Sequence, residues 1–401
     1  MRAALALLAI VLAATQADGR ARDLAIPFEG KPGPLNAITD VRGVEVGQIT
    51  LIAGEGALKV GTGPVRTGVT TIFPRGHSDA RAVYGGFFDL NGNGEMTGRA
   101  YLEDFGIVQG PIGLSDTNAV GQVYAGIQQW SAKHTGSATW PVVAETWSGY
   151  LSDIDGFHVT SEIAVAALDA AKPGPVEEGN VGGGTGMVCF GFKGGIGTAS
   201  RVVLIGGKTY TIGVLVQCNT GDRKVLRVAG TPVGQALAKR WLPCFDPKLA
   251  AKADDLPPCT SDGSMGVAPP DQGSIIIVVG TDASLTPNQL DRVAKRAAMG
   301  LARLGSYSGN SSGDLIVSFS TAVAEVNHED QDKPDPIAPV PNATINPIFE
   351  GTVQATEEAA INALVAARTM TGINGARYFG IPHDELRAIL KRYNRLESPV
   401  R

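Results

Sequence analysis

The chain has 401 residues, 43% of them hydrophobic, and a formal net charge of −5. That is enough apolar material for a large core, and the interspersed charges lack the basic, aromatic-studded clusters of a nucleic-acid footprint. Its 52 glycines are scattered along the chain, which points to tight turns and close backbone approaches and excludes a flexible glycine linker.

The first 17 residues read as an export signal. Arg2 supplies the positive end, Ala3 to Ala14 is apolar, and Thr15-Gln16-Ala17 offers small residues for cleavage after Ala17. The apolar stretch is too short to span a bilayer. No later segment reaches spanning length without Gly, Pro or charge. The mature protein is therefore expected to be soluble and periplasmic, with no membrane partner.

Short apolar runs then alternate with amphipathic stretches. Val44 to Ile52, Val69 to Phe73, Val142 to Trp147, Arg201 to Ile205 and Tyr210 to Cys218 read as strands. Asn118 to His134, Thr160 to Ala171 and Val233 to Trp241 read as helices. The segment Leu242 to Gln272 is rich in Pro, Asp and Gly and reads as an exposed connection. Cys244 and Cys259 bracket most of it. In an oxidising compartment a disulfide there is expected to stabilise by about 3 kcal/mol. Cys189 and Cys218 sit in apolar contexts and read as buried thiols.

A strand follows from Ser274 to Gly280, then a helix from Pro287 to Leu304. Thr286-Pro287-Asn288-Gln289 gives that helix a capping threonine, a first-turn proline and a capping-box glutamine. A strand over Asp314 to Ala322 and helices over Glu357 to Thr371 and Asp384 to Tyr393 complete the chain.

Several motifs fail on their own chemistry. Gly309-Asn310-Ser311-Ser312-Gly313 spells a nucleophile elbow, but a helix precedes it and a strand follows, the reverse of what the elbow needs. Asp89 to Gly94 opens like a calcium loop, yet Ala100 stands where a bidentate Glu is required. Gly207-Lys208-Thr209 lacks the first glycine of a phosphate loop. No zinc spacing occurs, so neither metal nor cofactor is expected. The five histidines, His77, His134, His158, His328 and His383, read as polar-turn or surface residues. A serine nucleophile here needs another base.

Five segments, taken together and in order, resemble the self-processing aminopeptidases of the DmpA/BapA type, the L-aminopeptidase/D-esterases and β-aminopeptidases. They are Gly92 to Gly98, Ala144-Glu145-Thr146-Trp147, the glycine-rich Gly182 to Gly197, Val216 to Thr220, and Gly273-Ser274 ahead of an apolar strand. Ser312-Gly313-Asp314 and Ser318 to Thr321 fit as well. The resemblance implies an α+β fold, a four-layer αββα sandwich like that of N-terminal-nucleophile hydrolases. It also implies self-cleavage between Gly273 and Ser274, giving fragments 18–273 and 274–401 that form one structural domain. A free α-amine on Ser274, with a pKa of about 7.7–8.0, then serves as the base for its own hydroxyl.

The same resemblance assigns roles. Asn219 is the expected oxyanion donor. Ser312 is the second serine beside the nucleophile, and Asp314 its acidic partner, where relatives often carry Glu. Glu145 is expected to bind the substrate's free ammonium, and Trp147 to wall the pocket. The implied activity removes an N-terminal residue, favoured as a β-amino acid such as β-alanine, from short peptides, amides or esters. An L-aminopeptidase/D-amidase-esterase is the alternative within the family, and a periplasmic solute-binding protein the alternative outside it. A homo-oligomer of cleaved heterodimers is implied by resemblance alone.

Overall fold

The computed structural model describes residues 19–79, 81–253, 256–260, 273–322, 326 and 337–397. Residues 1–18, where the export signal and its cleavage site are expected, His328, and residues 254–255 and 261–272 of the connection before Gly273 lie outside the described residues. In chain order, the first part contains β1 (Glu45–Ala53), β2 (Val65–Phe73), β3 (Val83–Gly92), α1 (Arg99–Phe105), β4 (Ile107–Val108) and β5 (Ile112–Asp116). Then come α2 (Val120–Thr135), β6 (Val142–Thr146), α3 (Ser161–Asp169), β7 (Val188–Cys189), β8 (Phe192–Lys193), β9 (Gly195–Ile205), β10 (Lys208–Asn219), α4 (Val233–Ala236) and β11 (Cys244–Phe245). From Ser274 onward the chain forms β12 (Ser274–Thr281), α5 (Pro287–Arg303), β13 (Gly313–Ser320), α6 (Asn346–Ala366), β14 (Met370–Thr371), β15 (Ala376–Tyr378) and α7 (His383–Arg392).

Two sheets stack face to face. One has the order β1-β2-β5-β6 and the other β4-β3-β13-β12-β10-β9. β12 shows why the order works. Its run Ile-Ile-Ile-Val-Val has no polar face, as a strand covered on both sides requires. Ile275, Ile277 and Val279 pack with Leu290, Val293 and Ala297 of α5 and with α6. Ile276 and Val278 point the other way, onto Ile72, Ile112, Leu114 and Val142 of the opposite sheet. Each such side chain contributes roughly 1.5–3 kcal/mol by leaving water. On the far side, α2 and α3 bury Val123, Ile127, Trp130, Ala164 and Leu168 against Val69, Phe73 and Val143. The layers therefore run helix, sheet, sheet, helix, as the resemblance implied.

The capping box at the start of α5 forms as its sequence predicts. Gln289 N donates to Thr286 Oγ1 at 3.2 Å, and Thr286 N donates to Gln289 Oε1 at 3.0 Å. Four expectations need correction. Cys189 and Cys218 are not free thiols but a disulfide, with Cα atoms 5.6 Å apart. The turn through Gly194 folds β7 back onto the end of β10, and a Cβ on Gly194 would stand only 2.5 Å from both Cys189 Cβ and Cys218 O. The helix expected over 233–241 stops at Ala236, with Gly234 weakening its centre. The helix expected over 357–371 begins at Asn346 and ends at Ala366. Its first half buries Gly351, Thr352 and Thr356, which hydrophobic periodicity does not register, and the two threonines satisfy their hydroxyls on Ile348 O and Thr352 O. Finally, the connection after Leu242 does not start exposed. Cys244 and Phe245 are buried and paired with β15, and Cys244 is bonded to Cys259.

Candidate active site

Three neighbouring strands bring their ends to one place. β10 finishes at Asn219, β12 starts at Ser274 directly opposite it, and β13 starts at Gly313. The parallel register sets Asp314 against Ile275. Ser274 is 7% exposed, and its Oγ accepts the Gly313 N–H at 3.1 Å. Gly273 cannot be any larger residue, because a Cβ there would overlap the Asn219 carbonyl oxygen. The junction peptide is thus pressed against the end of β10 with no side chain to hold it off.

A buried chain of hydroxyls lies beside the serine. Ser312 Oγ donates to Asp314 Oδ1 at 2.7 Å, and Thr220 Oγ1 sits 3.2 Å from Ser312 Oγ. All three side chains are withdrawn from solvent. The loop carrying Ser312 is fastened from β3 and the residues after it. Asn91 Nδ2 donates to Gly309 O, and Asn93 Nδ2 to Ser311 O, both at 2.6 Å. A shift in register between Asp314 and Leu315, where β13 meets β3, marks a bulge at the same spot. Bulges commonly re-aim side chains in this way.

Asn219 is held by both ends of its amide. Its Oδ1 accepts the Val188 N–H at 2.7 Å, and its Nδ2 donates to Trp147 O at 3.1 Å. Trp147 follows β6, with its side chain partly in solvent and its ring edge-on to Tyr150 at 5.2 Å.

Glu145 arrives from the opposite sheet and is 4% exposed. Its Oε1 accepts the Glu95 N–H at 3.0 Å, and its Oε2 takes the Thr117 hydroxyl. Burial pushes its pKa above that of an ordinary glutamate, against the pull of those two donors. Gly94 lies close to both this carboxylate and Gly313, the residue that hydrogen-bonds Ser274. A Cβ on Gly94 would stand 3.1 Å from Glu145 Oε1 and 3.5 Å from Gly313 Cα. A side chain at this position would crowd both the Glu145 carboxylate and the start of β13. The arrangement can therefore neutralise a cation at one end and present a hydroxyl and an amide donor at the other.

Ser274, Asn219, Ser312, Asp314, Glu145 and Trp147 are thus gathered around one point. The four described histidines hydrogen-bond elsewhere, to Glu45, Trp130 O, Asp153 and Val365 O. Sequence reasoning missed Thr220, Gly313, Val188 and Thr117. Thr220 was within reach as the residue after Asn219. Gly313 and Val188 enter through backbone N–H groups, and Thr117 reaches Glu145 from the turn after β5 onto the neighbouring strand β6; no spacing announces such contacts.

Comparisons with known proteins identify the family. Residues 36–378 match the model of peptidase family S58. The chain is 52% identical to "Beta-peptidyl aminopeptidase BapA" of Sphingosinicella microcystinivorans, over 97% of this chain and 96% of that one. It is 47% identical to the protein of the same name from Sphingosinicella xenopeptidilytica, over 96% and 94%. Among solved structures, the L-aminopeptidase D-Ala-esterase/amidase of Ochrobactrum anthropi, described as a prototype for the serine aminopeptidases and a variant of the Ntn hydrolase fold, superposes with a TM-score of 0.82. That match has 40% identity and covers 94% of this chain and 99% of the other. The solute-binding alternative falls with these matches. The chain belongs to peptidase family S58 and is a hydrolase, a serine aminopeptidase.

Proposed function

We propose that the protein is an exported β-peptidyl aminopeptidase that matures by cutting its own Gly273–Ser274 bond. The observation that carries the substrate class is the 52% identity, across nearly the whole chain, to a protein named for that activity. The site supplies the chemistry. Ser274 Oγ attacks the Gly273 carbonyl, the amide nitrogen takes a proton, and an ester replaces the peptide bond. Water hydrolyses the ester, leaving a carboxylate on Gly273 and a free α-amine on Ser274.

That amine then takes the hydroxyl proton as Oγ attacks the scissile carbonyl of a bound peptide. Negative charge collects on the carbonyl oxygen, where the Asn219 amide is suited to donate; one such donor is worth about 2.7–4 kcal/mol. The tetrahedral intermediate expels the leaving amine, which carries off the proton. Water attacks the acyl-enzyme and restores the serine. Glu145 holds the substrate's ammonium, and Ser312 with Asp314 orients the nucleophile.

The test pairs substrates with variants. β-Alanyl anilide should be cleaved well and L-alanyl anilide poorly. The reverse preference would favour an L-aminopeptidase, the activity named for the Ochrobactrum anthropi structure at 40% identity. Ser274→Ala should remain a single chain and hydrolyse neither anilide. Cleavage or turnover by that variant would remove Ser274 from its role.

A further inference from the structure

Lys193 is a lysine with no contact to water, carried on β8. Among the described residues its Nζ has no carboxylate partner. It donates to Met187 O at 2.7 Å, to Gly194 O at 2.8 Å and, more distantly, to Gly184 O at 3.4 Å. Burial drives its pKa well below that of a solvated lysine. Charged or neutral, the amine has a hydrogen for each of the two short bonds. A polar group this deep is costly unless its bonds matter, and an apolar side chain of similar shape packs there more easily.

The peptide group it holds is the one that holds Asn219. The Met187 carbonyl takes Lys193 Nζ and also the Gly194 N–H at 2.8 Å. The N–H of the same peptide unit belongs to Val188 and donates to Asn219 Oδ1. The line is unbroken: lysine amine, peptide carbonyl, peptide N–H, side-chain carbonyl, side-chain NH2. Donation into each carbonyl makes the N–H on its far side a stronger donor. Filling Oδ1 with an N–H also fixes the amide orientation, so that Nδ2 is the end turned away from Val188, with one hydrogen on Trp147 O and the other left to donate. The Cys189–Cys218 disulfide joins the residue after Val188 to the residue before Asn219, keeping the two halves of the line in register.

We propose that Lys193 is a positioning residue for the hydrolysis. Through the Met187–Val188 peptide it locks and polarises the Asn219 amide, so that Nδ2 meets the developing oxyanion as a pre-aimed, strengthened donor. The relay rests on the reading of Asn219 as that donor. A lysine that only buttressed the glycine-rich turn would affect yield and stability without regard to Asn219.

A double-mutant cycle separates these roles, measured on the cleaved form of each enzyme with β-alanyl anilide. Lys193→Met should lower kcat about tenfold while KM stays within about twofold. In the Asn219→Ala background the same substitution should cost less than about twofold, because its route to the substrate is gone. Equal losses in both backgrounds, or a loss confined to KM, would overturn the relay and leave Asn219's role standing. An unchanged kcat in Asn219→Ala alone would overturn the oxyanion reading, and the relay with it. If either variant yields no cleaved enzyme, Val188→Pro, which deletes the linking N–H, takes its place in the cycle and is judged by the same coupling.

Discussion

Glu145 is a carboxylate held where water hardly reaches, and two hydrogen bonds keep it aimed. Binding an ammonium requires its charged form, yet burial raises its pKa. On the acid side, kcat/KM should fall first as the Ser274 amine released by the proposed cut, ordinarily about 7.7–8.0, takes a proton. It should fall more steeply once Glu145 is protonated too, and that steepening begins at a pH above the ordinary glutamate range. Glu145→Gln should abolish the second break and raise KM by about tenfold to a hundredfold, the worth of a charge-assisted bond. A glutamine variant that keeps both the break and the KM would take Glu145 out of amine binding. Thr220 belongs to the same scale. Removing its hydroxyl in Thr220→Val leaves Ser312 on Asp314 alone, and kcat should fall about threefold to tenfold, with Thr220→Ser restoring it. Equal kcat in the valine and serine variants would make Thr220 a packing residue.

Among elements, β12 and α5 were legible because each obeys a single rule. A strand buried on both faces is uniformly apolar, and a helix with a capping box announces its own start. β3 was not legible, because Gly85-Gly86 reads as a breaker. The structure gives the reason for the second glycine: a Cβ on Gly86 would run into the Asp291 backbone N and the Leu290 carbonyl carbon of α5. The glycines that hide the strand from propensity are the ones that let the helix lie on it. β5 was hidden differently, since Ser115 and Asp116 are polar and become buried only through partners from β2, β10 and the turn after β6. The site divides along the same line. Side chains proposed to act directly, such as Ser274 and Asn219, stand in recognisable segments. Lys193 and Gly313 touch the site's surroundings through backbone groups that only the folded chain brings close. The Cys189–Cys218 bridge closes a loop with a sequence separation of 29. Replacing both cysteines by alanine should cost about 3–4 kcal/mol on the loop-entropy model, read as a lower urea midpoint. An unchanged midpoint would show that the bridge adds nothing to stability.

For the whole molecule, the order of the six-stranded sheet decides what the cut can do. β4 and β3 precede the junction, β13 and β12 follow it, and β10 and β9 precede it again. The later fragment is thus threaded between two parts of the earlier one, and α6 lies across β9 and β10. Cleavage should leave the fragments inseparable on a sizing column without denaturant, and they should unfold together in one transition. Separation under native conditions would contradict the shared sheet.

The most direct test is intact-mass and N-terminal analysis of purified, active enzyme. Two polypeptides should appear, at about 26 and 13 kDa by average residue mass, with the smaller beginning at Ser274. Full activity in a preparation whose chain runs unbroken from Gly273 into Ser274 would contradict the proposal, because a serine without a free amine has no base of its own.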